Sequence, residues 1–486
     1  MSRRSAIGPS LHWLLLGGLL GLALLLILSR PLPTNDYSIY VAMGRQMLAT
    51  GTLLERDPFS FTQPGVEFQH ASWAYALLCA CSHEAFGYQG IRVLVAGAAL
   101  VTLAGVWVLA RRAGAGPRAA VLAVLYAWVL LLQNLGVRGQ TLVYPLFLAL
   151  VALTQRPLRP WLGAVVGLLL GWIWTQLHGS FPVALLYCGA VTVGAAVNTR
   201  SLRAAVPGAA LGVGLLAGTL LGPYGPWIWS YIHSNGAIPR ERGILEWYPP
   251  ALISFEGARL SVALLAWAGV LTWRRGRMGF DNWLLLLGFG CMALSATRII
   301  AWFGLATALP LAVMVTAPGR RHQPAPALPR PQRAVLAVLG LAWVALLAQG
   351  VPRQVELAAD TPVALAERLA EEPTGGRVFA PMEAGGYLAW RFHSPSADPS
   401  LPLGVMEHPT FLDMRVWIWP DPIWEEFLAI SAAEPGWQER LDAWEVRYLL
   451  LSHSFHGAGL LPAVGHSPRW EPLAEDSAGA LYRRVD

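Results

Sequence analysis

Apolar residues in this chain fall into long, nearly unbroken runs rather than into one-faced or alternating patterns. The runs lie near 11–29, 91–110, 118–134, 140–154, 160–176, 180–197, 203–222, 258–274, 281–296, 299–316 and 333–350. A helix needs roughly 20 apolar residues to cross hydrocarbon, so the runs predict about eleven transmembrane helices. Between the first two runs lies a connection, 31–90, far longer than the others. Two segments in it read differently. Ser72 to Phe86 is short and carries His83 and Glu84, and Asp36 to Thr50 places Ile39, Met43, Met47 and Leu48 on roughly one face. Both are predicted as amphipathic helices at the outer membrane interface.

The arginines orient the runs. Arg3 and Arg4, Arg111, Arg112 and Arg118, Arg156 and Arg159, Arg200 and Arg203, Arg274, Arg275 and Arg277, and Arg320, Arg321, Arg330 and Arg333 all fall on one side if Ser72 to Phe86 does not cross. Basic residues gather on the cytoplasmic side. This registry predicts a cytoplasmic N-terminus and an extracytoplasmic C-terminus. The segment from Ser2 to Ser29 has the charge pattern of a secretory signal, but Ser-Arg-Pro-Leu-Pro is a poor cleavage site. It reads as an uncleaved first span.

After about residue 355 charges return and apolar runs shorten to strand length. A helix over Thr361 to Glu371, capped by Thr361, is expected, with strands near Val378 and Leu449, a helix ending at Leu441 to Trp444, and a last strand over Ala478 to Arg483. The organisation expected is therefore an α-helical polytopic membrane bundle over 1–352, carrying the loop 31–90, and an extracytoplasmic α/β domain over 353–486. No internal repeat is visible.

Composition agrees. The 486 residues are 55% hydrophobic and 13% charged, against about 25% charged in soluble chains. The net charge of +6 comes entirely from arginine, since the chain has no lysine. With the arginines gathered on one side of the spans, it marks membrane orientation and not nucleic-acid binding. Cys79, Cys81, Cys188 and Cys291 all sit in apolar stretches and read as small buried hydrophobes, with no disulfide framework.

Candidate chemistry gathers on the external side. Asp36, at the start of the long loop, can act as a general base toward an acceptor hydroxyl or amine; Asn35 or Asp36 can equally cap a helix. Glu55 and Asp57 are further acids of that loop, and Asp57 before Pro58 is also a turn former. His70 and His178 can hydrogen-bond a phosphate or serve structure, and their separation carries no metal signature. A divalent metal stays open, and no resident cofactor is indicated. Arg45, Arg138 and Arg298 lie on the side poor in arginine, where a cation is a functional candidate or snorkels to headgroups. A guanidinium suits a phosphate. Glu246 and Trp247 pair an acid with a ring able to stack on a sugar.

In their order along the chain, these residues resemble the GT-C class of membrane glycosyltransferases, nearest the bacterial protein-mannosyltransferase-like and aminoarabinose-transferase-like members. The resemblance rests on Asn35-Asp36-Tyr37 with Gly44-Arg45 and Gly51, on Asp57-Pro58-Phe59-Ser60-Phe61-Thr62 with Trp73, and on Trp174 to Phe181. It extends to Gly222-Pro223-Tyr224-Gly225, Glu246-Trp247, Arg298, Gly385-Gly386-Tyr387-Leu388 and Asp413-Met414-Arg415. The chain departs from the class in having Asn35-Asp36 where Asp-Glu is common, and His70-Ala71-Ser72-Trp73 where His-Glu-Trp is common. The resemblance implies an inverting transfer from a polyprenyl-phosphate sugar to a glycan, lipid or protein acceptor at a bacterial inner membrane. It implies Asp36 as base and Arg298 or Arg138 on the donor phosphate. A lipid-linked-glycan binding protein or transporter is the alternative; a transporter would more often show repeats and charges deep in its spans.

Overall fold

A computed structural model describes residues 10–274, 278–316, 355–398 and 400–485. Ten apolar helices occupy ten of the expected runs. Seven are long and apolar enough to cross a membrane: α1 (Ser10–Ser29), α4 (Tyr88–Arg112), α7 (Pro160–Leu177), α8 (Phe181–Thr199), α9 (Val206–Thr219, entered by a 3-10 turn at Leu202–Ala205), α11 (Phe255–Arg274) and α13 (Ile300–Val315, entered by a turn at Thr297–Ile299). Three are shorter but apolar: α5 (Pro117–Leu131), α6 (Gly139–Gln155) and α12 (Phe280–Ser295). The eleventh run, the N-terminal arginines Arg3 and Arg4, and the arginines from Arg320 to Arg333 lie outside the described residues. The chain is a polytopic helical membrane protein with a C-terminal sheet region.

Contacts divide the chain into two compact units. The first holds residues 1–30, 92–236 and 243–353, and the second holds 31–91, 237–242 and 354–486. The long loop was expected with the bundle; by contacts it belongs with the C-terminal residues.

In the first unit, α7 and α9 pack backbone to backbone. Gly167 and Gly171 of α7 meet the carbonyls of Leu211 and Leu215, and Gly214 and Gly218 of α9 meet those of Ala164 and Leu168. A Cβ at any of the four would collide with main chain, so these helices need glycine at four-residue spacing. The pairing fixes the end of α7, from which the turn carrying His178 emerges.

In the second unit, α2 (Asn35–Thr50) and α3 (Trp73–Phe86) form the two helices expected in the loop. They cross at Gly44, where a Cβ would strike the Ala76 carbonyl. Ile39, Met43 and Met47 are buried, whereas Leu48 is exposed and lies off that face. The helix Met382–Phe392 lies against α2, with Gly386 on the carbonyl of Asn35 and Gly385 on that of Leu412. The two adjacent glycines thus serve two separate close approaches.

A four-stranded sheet completes the unit, ordered β1-β4-β6-β5: β1 (Arg377–Phe379), β4 (Val446–Ser452), β5 (Trp470–Glu475) and β6 (Gly479–Arg484). β1 is parallel to β4, and the other pairs are antiparallel. A two-residue pair, β2 (His393–Ser394) with β3 (Val405–Met406), stands apart. β5 was not anticipated, because Pro472 and its charged neighbours hide the strand pattern; it lies on the sheet edge, where proline is tolerated. The helix expected over Thr361 to Glu371 is shorter, Val363–Leu369. Thr361 does not cap it, because its hydroxyl is 2.8 Å from that of Thr34. Cys79 and Cys188 are buried as expected, but Cys81 and Cys291 are exposed on the outer faces of their helices.

Candidate functional site

Five of the ten singled-out residues come together in the first unit. A 3-10 turn, Leu245–Trp247, carries Glu246 and Trp247. A second turn, Thr297–Ile299, carries Arg298. The backbone N–H of Thr297 (3.0 Å) and its hydroxyl (3.2 Å) both donate to the carbonyl of Tyr248, which pins one turn beside the other. Neither Tyr248 nor Thr297 stood out in the sequence, since nothing local marks a contact between turns about fifty residues apart.

Glu246 sits between two guanidiniums. Its Oε2 accepts from Arg138 Nη1 at 2.5 Å, and its Oε1 lies 3.2 Å from Arg298 Nη1. The guanidinium of Arg298 stacks over the Trp247 ring at 4.2 Å, a cation–π contact that orients the fork. The side chains of Arg138, Glu246 and Arg298 are 39%, 29% and 18% exposed, so a solute can reach the cluster. Burial pushes the Glu246 carboxyl upward, but the charges of Arg298 and Arg138 outweigh it and hold the group below its ordinary value. The cluster is two cations around one carboxylate, net +1.

His178 borders this cluster. It follows α7 in extended conformation, and its Nδ1 accepts from the Ser180 N–H at 3.1 Å. Trp174 Nε1 donates to Ser180 Oγ at 3.1 Å, closing the turn on itself. Burial, then the positive charges of Arg298 and Arg138, push the His178 pKa down to about 3. A neutral imidazole is thus presented beside two cations.

The other five lie in the second unit. Asp36 occupies the first turn of α2, part-buried, and its N–H donates to Asn35 Oδ1 at 2.9 Å. Thr34 stands at the N-cap position without a side-chain cap bond, and the Asn35 side chain is the one that accepts from a first-turn N–H. Arg45, further along α2, pairs with Glu84 of α3 at 2.5 Å and lies over the Trp390 ring. Glu55 is exposed, and its backbone carbonyl accepts from the N–H of Phe68.

Asp57 is enclosed. Its carboxylate accepts from the N–H of Phe59 (3.2 Å), the N–H of Ser60 (3.1 Å) and Ser60 Oγ (2.5 Å). Arg415 Nη2 donates to it at 2.6 Å and to Asp413 at 2.5 Å. Side-chain exposure is 0% for both aspartates and 1% for Arg415. Burial pushes the Arg415 pKa down, but the two carboxylates outweigh this and raise it. The phenyl rings of Phe59 and Phe68 each lie 5.0 Å from the guanidinium carbon. Around this ion cluster the loop runs beside the C-terminal chain: Phe61 N–H donates to Thr410, Thr410 N–H to Phe59, and the Thr62 hydroxyl to Phe411.

His70 is buried, its ring stacked parallel to Trp417 at 6.3 Å and tilted against Tyr40 at 5.4 Å. Burial and then Arg415 push its pKa down to about 3. Among the described residues no three His, Cys, Asp or Glu side chains gather as a metal set.

No family model matches the chain, and no curated protein is similar to it in sequence. Solved structures are similar in fold. ArnT from Cupriavidus metallidurans, in its apo state, superposes with a TM-score of 0.53 at 16% identity over 97% of this chain and 98% of its own. The oligosaccharyltransferase AglB from Archaeoglobus fulgidus, in complex with an inhibitory peptide and a dolichol-phosphate, gives a TM-score of 0.53 at 12% identity over 98% of this chain and 74% of its own. The fold is GT-C-like, as the ordered motifs led one to expect.

Proposed function

We propose, on the premise of a GT-C-like fold, that this chain is a membrane glycosyltransferase that takes a sugar from a polyprenyl-phosphate carrier and gives it to an extracytoplasmic acceptor. The observation that carries this is the half-open pair of guanidiniums, Arg138 and Arg298, converging on one carboxylate beside Trp247. Two guanidinium forks at fixed spacing suit a phosphoryl group. The fold-mate AglB was solved with a dolichol-phosphate, an isoprenoid phosphate of this class.

In this reading Arg138 and Arg298 stabilise the phosphate as the anomeric C–O bond breaks and negative charge collects on the leaving oxygens. The neutral His178 adds no charge at that point; with Nδ1 accepting from Ser180, its Nε2 carries the proton and can donate one hydrogen bond. Asp36 is the acid that the family resemblance puts forward to take the proton from the acceptor, with inversion at the anomeric carbon. Asp57 has no such part, because its carboxylate is fully committed to Arg415 and the Ser60 turn.

The test is donor-dependent transfer in membranes containing the chain. Asp36→Asn should fold normally and lower transfer by about 10²-fold or more, the scale of losing a general base. Wild-type transfer in a folded Asp36→Asn protein would remove Asp36 from the mechanism. Donor binding without any transfer in the wild type would make the chain a lipid-linked-glycan binding protein instead. The reading also sets the catalytic face outside, at a bacterial inner membrane, so a reporter fused after Asp486 should be active outside the cytoplasm. Activity only inside would overturn the registry of spans.

A further inference from the structure

The phosphate reading leaves one group without a part. Glu246 is ionised, flexible in principle through three side-chain torsions, and bonded to the same nitrogens a phosphate would use. It gives one oxygen to Arg138 Nη1 and the other to Arg298 Nη1, so its two oxygens span the pair much as two phosphoryl oxygens would. An arriving phosphate cannot add to this arrangement without cost. A phosphoryl group accepting from the same Nη1 donors needs the positions that the two carboxylate oxygens occupy. One of the two anions has to leave.

The rest of the pocket is built to survive that departure. Arg298 is held by the Trp247 ring independently of the carboxylate. The turns carrying Glu246 and Arg298 are joined through the Tyr248 carbonyl and Thr297 as well as through the ion pair, so the first link remains when the pair opens. Glu246 itself is 29% exposed, so its carboxylate can move to water. The buried cluster around Arg415 offers no such exit, with every member at 1% exposure or less.

From this geometry we propose that Glu246 is a built-in competitor: its carboxylate holds the place of the ligand's phosphoryl group between Arg138 and Arg298 and must be displaced for an isoprenoid phosphate to bind. The inference rests on the reading of the arginine pair as a phosphate site. It gives the site a means of letting go. After transfer the carrier leaves as a phosphomonoester, which carries more negative charge than the phosphodiester that arrived. A carboxylate tethered beside the site re-pairs with the arginines as that product departs, which opposes its retention.

The experiment measures binding of farnesyl phosphate to the detergent-purified full chain, comparing wild type, Glu246→Gln and Arg298→Ala, each first checked for folding by thermal unfolding. Glutamine keeps the size and an acceptor oxygen for the arginines but removes the competing charge. The proposal expects Glu246→Gln to bind farnesyl phosphate about tenfold or more tighter than wild type, the scale of one charge-assisted hydrogen bond. Arg298→Ala should bind it more weakly than either. Equal or weaker binding by Glu246→Gln, with Arg298→Ala still impaired, overturns the competitor role and leaves the phosphate site standing, with Glu246 as a residue that positions the arginines. Binding by all three at one level overturns the phosphate site and the inference with it.

Discussion

The two units each contain a cluster of arginine and carboxylate, built from the same groups in opposite proportion. In the bundle unit, Arg138 and Arg298 share one carboxylate, Glu246, and all three side chains are 18–39% exposed. In the other unit, Asp57 and Asp413 share one guanidinium, Arg415, and all three are at 1% exposure or less. The two carboxylates of the buried cluster are also held by local bonds, since Asp57 accepts from Ser60 and Phe59 and Asp413 accepts from the Arg415 N–H. The open cluster has cation in excess. Chemistry alone does not separate a ligand site from a structural tie; exposure and the sign of the uncompensated charge do.

If that contrast is right, removing the arginine should have opposite consequences in the two places. Arg415→Ala strands two buried carboxylates, and breaking a buried pair typically costs about 3–5 kcal/mol. Thermal unfolding should show a large loss of stability, and transfer should fall only with the amount of folded protein. An Arg415→Ala protein as stable as wild type would refute the structural reading of that cluster.

Acidification should sharpen the contrast next. His70 and His178 are each held neutral, with pKa values near 3 against an ordinary 6.5. Below pH 6.5 the unfolded chain takes up protons that the folded chain refuses, so stability falls as pH drops toward 3, by up to about 1.4 kcal/mol per pH unit for each histidine. His70→Gln should reduce the slope of stability with pH between 6.5 and 4. An unchanged slope would mean that His70 protonates freely in the fold.

Glu246→Gln should have the smallest effect on folding. An accessible ion pair contributes about 0–1 kcal/mol, so its unfolding temperature should stay near that of wild type. A loss as large as that of Arg415→Ala would place the open cluster among the structural ties.

Much of this was legible in the residues. Long apolar runs gave ten described helices close to their expected bounds, because membrane burial demands length and hydropathy more than detail. Arg138, His178, Glu246, Trp247 and Arg298 could each be singled out as polar groups on one side, but their meeting could not, since it depends on the Tyr248–Thr297 contact. Asp57 and Asp413-Met414-Arg415 were visible as separate motifs. That they form one buried cluster is a pairing across more than 350 residues, which no periodicity reports. The same long-range packing puts the loop 31–90 in the unit of the C-terminal residues. The glycines of α7 and α9 stood in plain view at four-residue spacing, a known signal of close helix contact, yet they read only as composition until the partner carbonyls were seen.

The most direct test of the open cluster as a ligand site pairs two readings on one variant, the unfolding temperature and the donor-dependent transfer rate of Arg298→Ala, with Arg298→Lys alongside. The account predicts an unfolding temperature near wild type, a roughly ten- to hundredfold loss of transfer in Arg298→Ala, and partial activity in Arg298→Lys, which keeps the charge but not the fork. Wild-type transfer by a folded Arg298→Ala protein would contradict it and leave Arg298 as a cation that only snorkels to lipid headgroups.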